Sequence, residues 1–279
     1  MKKLQRAIFC LFILCFFCTY TLAQKTKSNS EVLVPKDYKP LTLVASPELD
    51  TILRTAVIKV LSSSKDGSFK PDEIAATLID LRDLSKVSWA NVRGEEKIYP
   101  ASVVKMFYLA ALERQLEDGK IKSTPELMRG LKDMIVDSSN EATQYILDVI
   151  TNTSSGAELP QKEFDKWQFK RNRVNRFFES MGYSNINVDQ KTFCEDAYGI
   201  EQQSRKYKGE NRNMLTTNAV ARLLAEIVSG RMNTPERTRQ MMDLMHRDPF
   251  AETKDQDDQA HGFTGRLLFE RKMADAKLW

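Results

Sequence analysis

Tyr99-Pro100-Ala101-Ser102-Val103-Val104-Lys105-Met106-Phe107 joins a short extended piece, Lys97-Ile98-Tyr99, to an apolar helix. Pro100 halts the extended piece, and Val103, Val104, Phe107, Leu109 and Ala110 then mark a buried helix over about 102–117. Ser102 falls at or near the start of that helix. Lys105, three residues on, lies on the same face within reach of the hydroxyl. Val103, Val104, Met106 and Phe107 argue that the lysine is buried. A buried amine loses hydration, its pKa falls, and its neutral form can take the serine's proton. Unpaired N–H groups of the first helical turn can hold negative charge on a tetrahedral intermediate. The spacing alone carries little. Ser62-Ser63-Ser64-Lys65 repeats it in a polar stretch, and a helix cap followed by a solvated lysine has the same letters.

Upstream, Ser46-Pro47-Glu48 reads as a helix start, with a capping hydroxyl, proline in the first turn and an acid behind it. Leu49, Ile52, Leu53, Val57, Val60 and Leu61 follow at helical spacing, up to a polar break at 62–67. Ile74–Leu81 and Val87–Val92 read as strands joined by a polar turn over 82–86. Downstream of the 102–117 helix, further helices are expected at about 124–136, 139–151, 163–181, 217–229 and 235–247. The irregular segment Ser184–Asn213 is long for a connection inside a domain, and such loops are usually functional or mobile. A helix, a strand pair and a block of helices, in that order, point to an α+β core with a mostly helical insertion.

At the N-terminus, Lys2, Lys3 and Arg6 precede an apolar run from Ala7 to Tyr20 and the small residue Ala23. This reads as a secretory signal over 1–23, whose apolar run is too short for a comfortable membrane span of about 20 residues. An uncleaved anchor is the alternative. Bulky Leu14 and Phe17 before Cys15 and Cys18 argue against lipid attachment. The product would be exported, to the periplasm or beyond, with no stable span after cleavage. Gln24–Ala45 reads as an extended arm and 46–279 as the folded domain. Losing the signal removes Cys10, Cys15 and Cys18, leaves Cys194 alone and lowers the formal net charge from +4 to +1. That near-neutral balance gives no electrostatic case for nucleic acid. Cysteine and histidine (His246 and His261) are too sparse for a zinc cluster. With 42% hydrophobic and 29% charged residues the composition is that of an ordinary globular chain.

A second stretch, Met134-Ile135-Val136-Asp137-Ser138-Ser139-Asn140-Glu141-Ala142, ends one apolar helix and begins another. By itself it reads as helix capping. Taken with Ser102-x-x-Lys105, the Ser138-x-Asn140 triplet resembles the first two signatures of the penicillin-recognising serine hydrolases. These are the β-lactamases, above all class A, and the D-alanyl-D-alanine peptidases or penicillin-binding proteins. The order of elements is similar too, and Met214-Leu215-Thr216-Thr217-Asn218 resembles the helix start that follows the class A loop. The resemblance implies an antiparallel sheet flanked by helices plus a mostly helical subdomain, and no cofactor. It implies Ser102 as acylated nucleophile, Lys105 as its base, Ser138 as proton relay to the leaving nitrogen and Asn140 as a hydrogen-bonding partner of the substrate. The substrate would be a β-lactam or a D-alanyl peptide.

The sequence departs from that pattern in several places. Ser138 lies nearer Ser102 than in class A enzymes, and Ser139 stands where they typically have Asp. The third signature, Lys-(Ser/Thr)-Gly on a core strand, is absent. Phe263-Thr264-Gly265 copies its last two residues, with 14 residues left after it. The chain therefore reads as a copy truncated before its C-terminal strands, with a degenerate, inactive relative as the alternative. The missing strand would supply an oxyanion-hole donor, whose loss costs on the order of a hundredfold in rate. Deacylation in class A enzymes uses a loop glutamate. Glu195, Glu201 and Glu210 are available, and position favours Glu201, yet Glu201-Gln202-Gln203-Ser204-Arg205 lacks Glu-x-x-Leu-Asn and all three acids read equally as solvated surface residues. Acylation is the better supported half of the chemistry. A class A-like β-lactamase is the first expectation, a cell-wall D-alanyl peptidase the second, and a non-catalytic envelope-binding protein the alternative of a different class.

Overall fold

The computed structural model describes residues 31–63, 69–252 and 258–279. The export signal expected over 1–23, and most of the polar break after the first helix, lie outside them. Contacts divide the chain between Val32 and Leu33, and the unit Leu33–Trp279 holds the elements of the fold.

The arm runs without helix to β1 (Val44–Ala45). Helix α1 (Pro47–Ser63) starts where expected: Ser46 Oγ accepts from Leu49 N–H at 3.3 Å, and its carbonyl from Asp50 N–H at 2.9 Å. Strands β2 (Ala76–Asp80) and β3 (Ser88–Val92) pair antiparallel, with Ala76 opposite Val92 and Asp80 opposite Ser88. The end of the arm adds a parallel strand, Val44 opposite Ser88, giving a mixed sheet of order β1-β3-β2. Helix α1 packs on β2 and β3, but of its apolar residues only Leu49 is buried, while Ile52, Ile58 and Val60 are 51%, 64% and 50% exposed. The helical spacing was right, but the stripe is not sunk into the core.

The core forms around α2 (Val104–Glu117). Phe107, Tyr108, Leu109, Ala110, Ala111 and Leu112 are all fully buried, so this helix is enclosed on every side. Each buried Leu or Phe contributes about 1.5–3 kcal/mol. Phe107 meets Phe178 edge-on at 4.9 Å between ring centroids. Around α2 pack α3 (Pro125–Ile135), α4 (Asn140–Thr151), α6 (Arg173–Ser180) and α9 (Pro235–Met245). The side chains of Thr124 and Ser139 cap α3 and α4, and Thr216 caps α8 (Thr217–Val228).

Four details differ from the sequence reading. The single helix expected over 163–181 is α5 (Gln161–Arg171) and α6, broken at Asn172, whose side chain accepts from Asn175 Nδ2 at 2.6 Å. The strand expected at Lys97–Tyr99 is one bridge, Ile98 to Leu215. The segment 184–213 contains α7 (Gly199–Arg205); a Cβ on Gly199 (φ +55°) would lie 2.0 Å from Gly156 O, so only glycine fits there. Phe263-Thr264-Gly265, whose last two residues copy a strand motif, opens helix α10 (Phe263–Glu270) instead.

The arm is clamped to α8. Buried Glu226 accepts from Tyr38 Oη at 2.9 and 2.8 Å, Tyr183 Oη at 2.8 Å, Leu41 N–H at 3.2 Å and Arg222 Nε at 3.0 Å. On the sheet's side of α8, Thr77 bonds Thr217 (2.8 Å) and Asn218 (2.7 Å), and Ile79 packs with Leu41, Val87 and Ala225.

Candidate active site

The chain does not enter α2 directly. A 3-10 turn, Ala101–Val103, precedes it, and Ala101 adopts a left-handed φ of +45°. Non-glycine residues in this region carry on the order of 1–3 kcal/mol of strain, held by the surrounding structure. The turn leaves Ser102 exposed and puts Lys105 one turn inward, only 3% exposed. Ser138, at the break between α3 and α4, has φ +55°. Asn140 is the first residue of α4.

Lys105 Nζ gathers these groups. It lies 3.2 Å from Ser102 Oγ, 3.0 Å from Ser138 Oγ and 3.1 Å from Asn140 Oδ1, and it donates closely to the Ser138 carbonyl. All four candidate residues, Ser102, Lys105, Ser138 and Asn140, thus share one cluster. Burial pushes the Lys105 ammonium down from 10.5 to about 8, with Cys194 and Glu141 opposing in part. Once neutral, the amine keeps two N–H bonds, which suit the Ser138 carbonyl and Asn140 Oδ1, and offers a lone pair to a serine hydroxyl. That geometry can activate Ser102.

A cavity of about 790 Å³ opens on Ser102. Its walls include Val103, Met106, Met134, Val220, Leu224 and Trp279, with Lys105 and Arg247 as the charged side chains. Its other walls are mainly apolar, with Gln259 and Thr264 as further polar residues.

The loop over 184–213 is pinned rather than loose. Tyr108 Oη donates to Gln190 O at 2.7 Å, and Asn213 bonds the Gln190 backbone on both sides, at 3.0 and 2.8 Å. Glu201, favoured by position for deacylation, is neither a solvated surface acid nor a free base. Its Oε1 accepts from Arg171 Nη2 and Ser155 Oγ, both at 2.8 Å, and its Oε2 from Arg171 Nη1 at 2.6 Å. Burial raises its carboxyl, but Arg171 and Lys191 outweigh that and hold it below the usual range. The cation partners come from α5 and from the loop itself, far apart in sequence, so no local pattern announced them. Glu195 and Glu210 are exposed, as expected.

The loop residue that does reach the cluster is Cys194, whose Sγ lies 3.4 Å from Asn140 Nδ2. Sequence reasoning registered it only as a lone thiol, and Arg247 not at all. Neither sits in a recognisable pattern.

Residues 72–256, more than half of the chain, match the family described as Beta-lactamase enzyme family. No curated protein matches. Among solved structures, a β-lactamase from Sphaerobacter thermophilus DSM 20745 is similar at 16% identity over 70% of this chain and 66% of its own, with a TM-score of 0.46. PBP-A is similar at 17% identity over 75% and 71%, TM-score 0.46, and the TLA-1 extended spectrum β-lactamase at 15% over 71% and 69%, TM-score 0.47. The chain thus spans about two thirds of these neighbours' length. By the match over 72–256, the chain belongs to the β-lactamase enzyme family.

Proposed function

We propose that this protein is an exported serine hydrolase that opens β-lactam amide bonds through an acyl-enzyme on Ser102. The observation that carries the reading is the buried Lys105 amine set between two serine hydroxyls, 3.2 Å from Ser102 Oγ and 3.0 Å from Ser138 Oγ. Neutral Lys105 takes the Ser102 proton as Oγ bonds to the carbonyl carbon. The C–N bond then breaks, and the nitrogen receives a proton through Ser138. Asn140 Nδ2 turns from its weak thiol acceptor to the substrate's amide carbonyl. Export rests on Lys2, Lys3, Arg6 and the apolar run after them.

A second reading, a D-alanyl-D-alanine peptidase with a long-lived acyl-enzyme, draws support from Glu201. Both oxygens of that carboxylate are engaged by Arg171. No acidic side chain bonds Ser102 or Lys105 among the described residues, so water activation lacks an evident base.

Intact-mass spectrometry after benzylpenicillin exposure tests the reading. The expected result is a covalent adduct that Ser102→Ala abolishes. A fleeting adduct fits a β-lactamase and a persistent one a peptidase. No adduct on the folded protein would sink both and favour a non-catalytic binding protein.

A further inference from the structure

The cavity beside Ser102 offers mostly hydrocarbon. Met106 of α2, Met134 of α3, Val220 and Leu224 of α8, Met245 of α9 and Trp279 line it, and its described walls hold no Asp or Glu. Its two cations are occupied. Lys105 is engaged by Ser102, Ser138 and Asn140, and Arg247 by the backbone carbonyls of Ile135, Leu244 and His246. Another cavity, of about 550 Å³, shows the contrast: Asp165, Asp189, Glu210, Arg176 and Lys208 line it, a mixture of charges.

Much of that hydrocarbon is open. Met106, Val220 and Leu224 are only half-buried, and Trp279 is 44% exposed. Apolar surface left bare around a nucleophile is unfavourable in water, and covering it with an apolar group recovers the loss. Three of the walls are methionines, each on a different helix. Unbranched and polarizable, such side chains adjust to a ligand with no fixed shape. At about 790 Å³ the cavity has the size of a small-molecule site. A flexible alkyl chain fits these walls, whereas a polar one would find few hydrogen-bond partners on them.

We propose a further activity at this site: Ser102 accepts the acyl group of a neutral, medium-chain ester, whose alkyl tail lies along Met106, Val220 and Leu224. Ser102 Oγ bonds to the ester carbonyl carbon and passes its proton to Lys105. The C–O bond to the alcohol breaks, and the alcohol oxygen takes a proton back through Ser138. Water then releases the carboxylic acid. This step shares its Ser102 nucleophile with the β-lactam reading; the preference for a tail does not rest on it.

The test uses 4-nitrophenyl acetate, butyrate, hexanoate and octanoate, each kept below its micellar concentration and corrected for spontaneous hydrolysis. Release of 4-nitrophenolate gives the acylation rate, and intact mass gives the acyl group gained. Each CH₂ that enters the cavity should raise the rate about three- to fourfold, hence about 100-fold from butyrate to octanoate. Ser102→Ala should abolish acylation, and Leu224→Glu, a charge set in the tail's path, should flatten the series. A flat series on the unaltered protein, a slope that survives Ser102→Ala, or an undiminished slope in folded Leu224→Glu would overturn the proposal. The series on the unaltered protein decides even where Leu224→Glu fails to fold. Benzylpenicillin run in parallel separates the two readings. A penicillin adduct with a flat ester series sinks this inference alone, and a steep series without that adduct sinks only the β-lactam reading. Acylation by neither removes both.

Discussion

Two lysines in this molecule are buried almost equally, Lys105 at 3% and Lys191 at 4% exposure, and serve opposite ends. Lys191 faces carboxylates: Asp148 Oδ2 at 2.6 Å and Glu201 Oε1 at 3.3 Å, beside Arg171 on the same acids. Lys105 faces only neutral oxygens from Ser102, Ser138 and Asn140. Burial is the same, but the company differs. Carboxylate partners make a lysine a structural cation, whereas neutral acceptors leave its charge uncompensated and its proton loosely held. On the proposed mechanism, a buried lysine is reactive because of what fails to neutralise it.

Removing Lys105 should have the largest effect. Lys105→Met should slow acylation of Ser102 by benzylpenicillin about 10²- to 10⁴-fold, the usual contribution of a positioned base, read by time-resolved intact mass. A rate within a few-fold of the original would mean that Lys105 is as structural as Lys191. At the other cluster, Glu201→Gln strips a carboxylate from two buried cations and should cost about 3–5 kcal/mol of stability, measured by urea unfolding. The Ser102 adduct should still form in the folded variant. A variant of full stability that no longer deacylates would put Glu201 in the chemistry and dissolve the contrast.

The pH dependence sharpens the same point by a smaller amount. Folding lowers the Lys105 pKa from 10.5 to about 8, so the neutral amine, present only in trace at low pH, grows as pH rises. Acylation should climb about tenfold per unit below pH 8 and level off above it, with no such inflection in Lys105→Met. By the same sign the burial of the ammonium costs stability below pH 8, and that cost fades as pH rises from 8 towards 10.5. A flat profile across pH 6–10 would contradict the assignment.

Much of this was legible in the sequence where the signal is local. The apolar run after Pro100 marked the core helix, and the Ser46, Thr124, Ser139 and Thr216 caps stand at helix starts expected from the sequence. Ser102, Lys105, Ser138 and Asn140 were legible as a set only through the resemblance of the two motifs to a known family, because each pair by itself reads as helix capping. What escaped depends on residues far apart. Arg171 and Glu201 are 30 positions apart and meet only after α5 and α7 pack, so nothing near Glu201 signalled its capture. The left-handed turn at Ala101 escaped as well, because alanine has no preference for that conformation and only the surrounding packing imposes it.

The clamp on Glu226 has a consequence for how the molecule assembles. Tyr38 reaches that carboxylate across 188 positions of chain, and Tyr183 across 43. Contacts so remote must close a large loop before any of their energy is felt, whereas α8 is built from neighbours. The arm is therefore a late arrival on a surface already formed. Its amides should be among the first of the sheet region to exchange with solvent, peeling from the rim while α2 stays shut.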